Sequence, residues 1–255
     1  MKLNTFIFVA NWKMQLSFNE TEELAREYFE HLTLIKKIPN LRIILCPSFP
    51  ALFPLSRLFK NSEIKLGAQD CSQFRAGAYT GQVCAKSIAE LGCHYCIIGH
   101  SERRHYNHET NTEIADKVQR LLEQELQPII CVGETKQEYK EQKAFTALEQ
   151  QLEPVLTRIA DIGISHEPIH IAYEPIWSIG TGIVPSNTYL NEIFTWIEDH
   201  TQKILGKERV VGLLYGGSVS EQTIAALKKV KKISGLLIGE ASLDFQKFNN
   251  IVNLI

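Results

Sequence analysis

Residues 172–182, Ala-Tyr-Glu-Pro-Ile-Trp-Ser-Ile-Gly-Thr-Gly, put one carboxylate where proton chemistry would need it. Glu174 ends an apolar run, and Pro175 follows at once, which biases Glu174 toward extended backbone. An acid held at the end of a strand can act as a general base. The stretch after it starts rigidly at Pro175 and ends on Gly180 and Gly182, as a lid that moves as a unit would. A plain surface loop is the competing reading. Trp177 weighs against it, because an indole is costly to expose.

Four other apolar runs also end in groups that could carry chemistry. Asn11 and Lys13 follow the first, and His100, Ser101 and Glu102 follow the run at 95–99. Tyr215-Gly216-Gly217-Ser218 and Gly239-Glu240-Ala241-Ser242 follow the last two. Taking a proton from carbon beside a carbonyl leaves negative charge on oxygen, so donors must already point there. An ammonium at about 4 Å, with an effective dielectric near 20, supplies roughly 4 kcal/mol toward that charge. The glycines let backbone N–H groups line a concavity for an anion, although tight turns alone would also use them.

The elements that must position these groups alternate from end to end. Strands are expected at 6–11, 42–46, 64–69, 95–99, 128–132, 169–173, 210–215 and 235–238, short and rich in Ile, Val and Leu. They mostly lack alternation, as strands buried on both faces of a parallel sheet do. Helices are expected at 19–37, with Asn19 as cap and Pro39 beyond, and at 50–60, 84–91, 110–125, 135–160, 186–204, 220–229 and from Asp244. With no linker or composition shift, residues 1–255 are expected to form one α/β domain, a closed (β/α)8 barrel. An open doubly wound sheet would usually begin with a glycine-rich turn, and Asn11-Trp12-Lys13-Met14 has no glycine. The barrel makes a test possible, since catalytic groups should gather at the C-terminal ends of several strands. All the groups named above fall there.

A net charge of −2 offers no case for nucleic acid or an anionic membrane. The apolar stretch at 6–10 is shorter than the roughly 7–15 residues of a signal core, so a cytoplasmic chain is expected. The six cysteines include Cys93-His-Tyr-Cys96, but this pair follows a helix end and runs into a strand, unlike a redox pair. Zinc would draw on His100, His105 and His108 at irregular spacing, so buried structural thiols are expected rather than a metal site.

Together, Asn11-Trp-Lys13, Gly67-Ala-Gln-Asp70, Ala78-Tyr-Thr-Gly81, Gly99-His-Ser-Glu-Arg-Arg104, Cys131-Val-Gly-Glu134, 172–182 and Tyr215-Gly-Gly-Ser218 resemble the triosephosphate isomerase family over essentially the whole chain. The resemblance implies the family's TIM barrel and the interconversion of dihydroxyacetone phosphate and glyceraldehyde 3-phosphate, a step of glycolysis and gluconeogenesis, without metal or cofactor. It implies Glu174 as base, His100 as electrophile and proton shuttle, Lys13 as electrostatic stabiliser and Asn11 as donor to a substrate oxygen. Glu102 would orient Lys13 or pass protons, unless it merely pairs with a nearby arginine. The lid would run from Pro175 to Pro185. The Gly180, Ser218, Gly239 and Glu240 amides would grip phosphate. Ser101 would hold Glu174 retracted, Trp177 would meet Glu134 in the open state, and Tyr215 would bond the closed lid. The segment 69–81 would reach into a second subunit, with Thr80 at its tip, giving a homodimer.

The chain departs from the family's common pattern in places. Glu240 stands where many relatives have glycine, so its side chain must point away from phosphate. Ser178 replaces a common alanine, and Ile183-Val-Pro185 replaces a common Lys-Thr-Ala at the second hinge. Gln82 replaces a glutamate that pairs with the neighbouring subunit's equivalent of Arg103. Two alternatives stand beside the isomerase. A Schiff-base aldolase would need a lysine in the sixth strand, where Ala172-Tyr173-Glu174 stands. A catalytically impaired phosphosugar-binding relative would be expected to lose Lys13, His100 or Glu174, and all three are present.

Overall fold

The computed structural model describes residues 5–31, 40–163, 169–208 and 211–255. Eight parallel strands close into a barrel in chain order: β1 (Phe6–Asn11), β2 (Leu41–Cys46), β3 (Lys65–Ala68), β4 (Tyr95–Ile98), β5 (Gln127–Val132), β6 (Ile169–Tyr173), β7 (Val211–Tyr215) and β8 (Gly235–Ile238). The seam joins the first strand to the last, with Ile7 opposite Gly235 and Ala10 opposite Ile238. Gly235 is needed there, because a Cβ would stand 2.5 Å from the Ile7 carbonyl oxygen.

Around the barrel run α1 (Phe18–Glu30), α2 (Phe49–Leu58), α3 (Ala85–Glu90), α4 (Ser101–Tyr106), α5 (Asn111–Leu122), α6 (Lys136–Lys140), α7 (Ala144–Ile162), α8 (Asn187–Leu205), α9 (Glu221–Leu227) and α10 (Phe245–Asn253). The lack of alternation in the strands has its expected cause. Ile7, Val9, Ile97, Ile129, Ala172 and Leu237 fill the barrel interior, while their neighbours Phe8, Ala10, Ile98, Ile130 and Ile171 pack outward under the helices. Each fully buried Ile, Leu or Phe contributes about 1.5–3 kcal/mol, so both layers hold the strand ends rigid.

Two helix expectations need correction. Ser17, not Asn19, caps α1: its hydroxyl accepts from the Glu20 amide while Glu20 reaches back to the Ser17 amide. The expected end of that helix, at 32–37, lies outside the described residues, as does Val210 of the expected seventh strand. The helix expected over 135–160 is two helices. Thr135 caps α6 with its own box to Glu138, and the chain then turns through Gln142 at φ 56° before α7 begins. The short α4, right after β4, was not foreseen.

All six cysteines carry free thiols, five of them buried, and burial pushes the Cys93 thiol up to about 12. No helix among the described residues is long and apolar enough to cross a membrane.

Candidate active site

The turn after β1 builds the first part of the site. Lys13 has φ 53°, in the left-handed region that a non-glycine residue adopts only when its surroundings enforce it. Two side chains do so. The Asn11 side-chain oxygen accepts the Lys13 N–H at 3.1 Å, and the Gln69 amide donates to the Lys13 carbonyl at 2.7 Å and to Cys46 at 2.9 Å. Lys13 Nζ then reaches Glu102 Oε1 at 2.6 Å. Gln69, at the end of β3, is a residue the sequence reading left without a role. A polar side chain just past a buried strand was the signal available.

After β4, His100 caps α4. Its Nδ1 accepts the Glu102 N–H at 3.2 Å, and its Nε2 lies 3.1 Å from Glu174 Oε1. The Ser101 N–H donates to Glu174 Oε2 at 3.1 Å, so the carboxylate is parked between an amide and an imidazole. Burial is the largest influence on both groups and favours the neutral forms. The facing charges nevertheless prevail, lowering Glu174 below the usual carboxylate value and raising His100. The hydrogen bonding points the other way for His100. A nitrogen that accepts an N–H carries no proton, and an imidazolium could not receive that bond. That bond leaves the ring neutral, with its proton on Nε2, as the positive end of α4 also favours.

Backbone without side chains lets Glu174 sit here. A Cβ on Gly133 would lie 1.8 Å from the Glu174 carbonyl oxygen, and one on Gly216 would lie 2.9 Å from Glu174 Cγ. Gly239 likewise leaves room for the Lys13 side chain, 3.4 Å from where its Cβ would be.

Asn11, Lys13, His100, Glu174, Gly180, Gly239 and Glu240 line one cavity of about 230 Å³, with Gly216, Gly217 and the apolar Leu237 between them. This size suits a small polar metabolite. The Glu240 side chain is exposed. Glu102 does not line the cavity but contacts the lysine and the imidazole that do. Ser218 sits between the lining residues Gly217 and Val219, and its hydroxyl is turned to the lid, accepting from the Gly182 N–H at 3.1 Å and donating to the Ser178 carbonyl.

The start of segment 175–185 is pinned by Glu134, which is fully buried. Trp177 Nε1 donates to it at 2.7 Å, as do Tyr173 at 2.9 Å and Tyr189 at 3.2 Å. Burial raises this carboxyl above its ordinary value against those donors. Tyr139 of α6, unforeseen from sequence, stacks on Trp177 with centroids 4.4 Å apart. Residues 176–178 form a 3-10 turn, and Gly180 and Gly182 adopt φ 69° and 73°. The Tyr215 hydroxyl meets Ser178 Oγ at 3.2 Å.

Segment 69–81 begins at a charged anchor. Lys117 is 4% exposed and bonds Asp70 at 2.7 Å and Glu109, while Arg103 pairs with Asp70 at 2.9 Å. Arg103 is thus already engaged within its own chain. Beyond the anchor, Ser72 N–H donates to Val83 at 2.8 Å, pinching the base, and Thr80 is exposed at the tip.

Comparison with known proteins agrees with this geometry. The family profile described as triosephosphate isomerase matches residues 6–255. A triosephosphate isomerase of Aquifex aeolicus (strain VF5) is 37% identical over 96% of this chain and 98% of its own. One from Wolbachia sp. subsp. Brugia malayi (strain TRS) is 39% identical over 98% of each. One from Dictyoglomus turgidum is 39% identical over 96% of this chain and 98% of its own. With a closed eightfold barrel, an acid, an imidazole and an ammonium at one mouth, and relatives matched along nearly their whole length, the chain belongs to the triosephosphate isomerase family.

Proposed function

We propose that the chain interconverts dihydroxyacetone phosphate and D-glyceraldehyde 3-phosphate through an enediolate, with Glu174 as the base. The observation that carries this reading is the single cavity lined by Glu174, His100, Lys13, Asn11 and the Gly239 turn.

Glu174 is a poor base where it is parked, because the Ser101 amide and His100 stabilise its charge. If the lid draws the carboxylate off those partners, burial acts unopposed and its proton affinity rises. Movement would then switch basicity on at the moment substrate is enclosed. The neutral His100 offers its Nε2–H to the carbonyl oxygen, and it can return a proton between the two oxygens because Nδ1 is already satisfied by Glu102. Asn11 uses its side-chain oxygen on Lys13, which leaves its NH₂ free to face a substrate oxygen. Lys13 supplies the fixed positive charge, and Glu102 orients it.

The phosphate is gripped by the amides of Gly180, Ser218, Gly239 and Glu240. Glu240 is exposed, which leaves its carboxylate room to turn to solvent while its amide serves the anion, so a dianion need not be repelled at close range. The lid excludes water and holds the phosphate ester aligned so that the enediolate does not expel it. We further assign the chain to the cytoplasm and to a homodimer in which segment 69–81 of each copy enters the other, bringing Thr80 to the partner's site.

The test is Glu174→Gln, which keeps the side chain's size and removes the base. In a coupled assay with glyceraldehyde 3-phosphate, kcat falls by at least the ~10²–10⁴-fold a general base supplies. Phosphoglycolate, an enediolate mimic, still binds. Substantial turnover by the variant would overturn the base assignment, and no phosphoglycolate binding by the wild-type protein would overturn the phosphate grip.

A further inference from the structure

We infer that Ser178 is a positioning residue of the reaction, the hydroxyl through which the lid is braced as one body and registered on Tyr215. The inference rests on the lid reading above and concerns how that lid is held.

Ser178 is fully buried within a segment whose neighbours Ile176 and Ile183 are exposed. Its hydroxyl has two contacts: it donates to the Ile183 carbonyl at 2.5 Å and meets the Tyr215 hydroxyl at 3.2 Å. The first contact closes the lid across its own span, from the 3-10 turn to the far hinge. The second crosses to Tyr215, the last residue of β7. The Ser178 carbonyl accepts from Ser218, whose oxygen also receives the Gly182 N–H, so Ser178 makes two of these three contacts with the end of β7 and the loop that follows it. An alanine here would keep the carbonyl contact and lose both hydroxyl contacts.

Two neighbouring residues make this hydroxyl hard to replace. Pro185, two residues past the Ile183 carbonyl that Ser178 holds, fixes the backbone φ at the far hinge, so that end of the segment has little freedom to find another partner. Gly217 leaves the space in which the two hydroxyls meet: a Cβ on it would stand 2.3 Å from the Tyr215 oxygen and 2.9 Å from Ser178 Oγ. Neither Ser178 nor Tyr215 lines the substrate cavity, so the pair acts through the lid's position and not by touching the reacting atoms.

A lid less well registered lets the enediolate fail in a defined way. The bond between C3 and the phosphate ester oxygen breaks, its electron pair leaves with inorganic phosphate, and the remaining enol tautomerises to methylglyoxal without any oxidant or reductant. The fraction of turnovers that release phosphate therefore reads lid register directly, which a mere loss of stability would not alter.

The experiment measures kcat, KM, phosphate released per turnover and hydrogen exchange of the 175–185 segment with and without saturating phosphoglycolate, in wild type, Ser178→Ala, Tyr215→Phe and the double variant. Ser178→Ala lowers kcat about five-fold, the factor one hydrogen bond supplies, with KM little changed. It also raises the phosphate fraction and weakens the exchange protection that phosphoglycolate confers. Tyr215→Phe does the same from the other side, and the double variant is no worse than the poorer single one. Should Ser178→Ala fail to fold, Tyr215→Phe alone carries the test. An unchanged kcat and phosphate fraction in the soluble single variants, or additive losses in the double variant, overturns the inference. If phosphoglycolate gives wild type no protection at 175–185, the lid reading itself fails, whatever the variants do.

Discussion

Lys13 pays for its place in backbone strain, and that strain explains what its removal would do. Its left-handed φ is enforced by Asn11 and Gln69, so the ammonium is delivered to a fixed point rather than searching for one. Preorganised charge is worth most where charge develops. Lys13→Ala is therefore expected to lower kcat by about 10²–10³-fold and to raise KM as well, since the same ammonium faces the substrate's ground-state charge. Steady-state kinetics check both effects, and an unchanged kcat would remove Lys13 from the chemistry. The types of the site residues were legible in the sequence because each stands at a strand end. Their partners were not. Nothing in the spelling of Gln69 says that it holds the Lys13 carbonyl, since that contact joins two turns that only the closed barrel brings together.

Among the elements, the glycine turns after β5 and β7 set the position of Glu174. Gly216→Ala would drive a methyl group to within 2.9 Å of Glu174 Cγ, so the carboxylate must shift. A displacement of about 1 Å costs roughly 10²-fold in rate. The expected outcome is that loss in kcat with the far-ultraviolet spectrum retained, and full activity would show that Glu174 has slack the packing denies. Helix boundaries show why part of the fold was harder to read. Ser17 followed by Glu20 and Asn19 followed by Glu22 both spell a capping box, and the sequence alone cannot choose between them. Burial of Thr21, Leu24, Ala25 and Tyr28 against the barrel accompanies the earlier one. The break between α6 and α7 lacked any proline or glycine to announce it: Gln142 takes the left-handed turn instead. The strands, by contrast, were legible to within about two residues because burial on both faces leaves only apolar runs.

For the molecule as a whole, one buried histidine works against the fold in acid. His170 of β6 lies wholly inside the barrel beside Tyr95, with Nε2 3.1 Å from Gln127, and burial holds it down to about 3. Below its ordinary value of 6.5 the unfolded chain takes up a proton that the folded chain refuses, so stability falls as pH drops from 6.5 toward 3. Over that range the cost reaches several kcal/mol. Urea unfolding between pH 7 and 4 should show this slope in wild type and a shallower one in His170→Gln, and parallel slopes would refute it. Assembly has its own test. Phe74 and Tyr79 stack 4.1 Å apart on segment 69–81, both well exposed, and burying such a pair favours association. Sedimentation should find wild type dimeric and Tyr79→Arg shifted toward monomer with reduced activity, and an unshifted variant would exclude this face.

The pairing of β8 with β1 has a consequence for how activity is acquired. Lys13 leaves the opening strand and the Gly239 turn leaves the closing one, so ammonium and anion cradle become neighbours only when the ring is stitched shut. Turnover is then expected to report on the final stitch: a chain with seven strands in place would hold Glu174 and His100 but lack two of the four amides assigned to phosphate, those of Gly239 and Glu240.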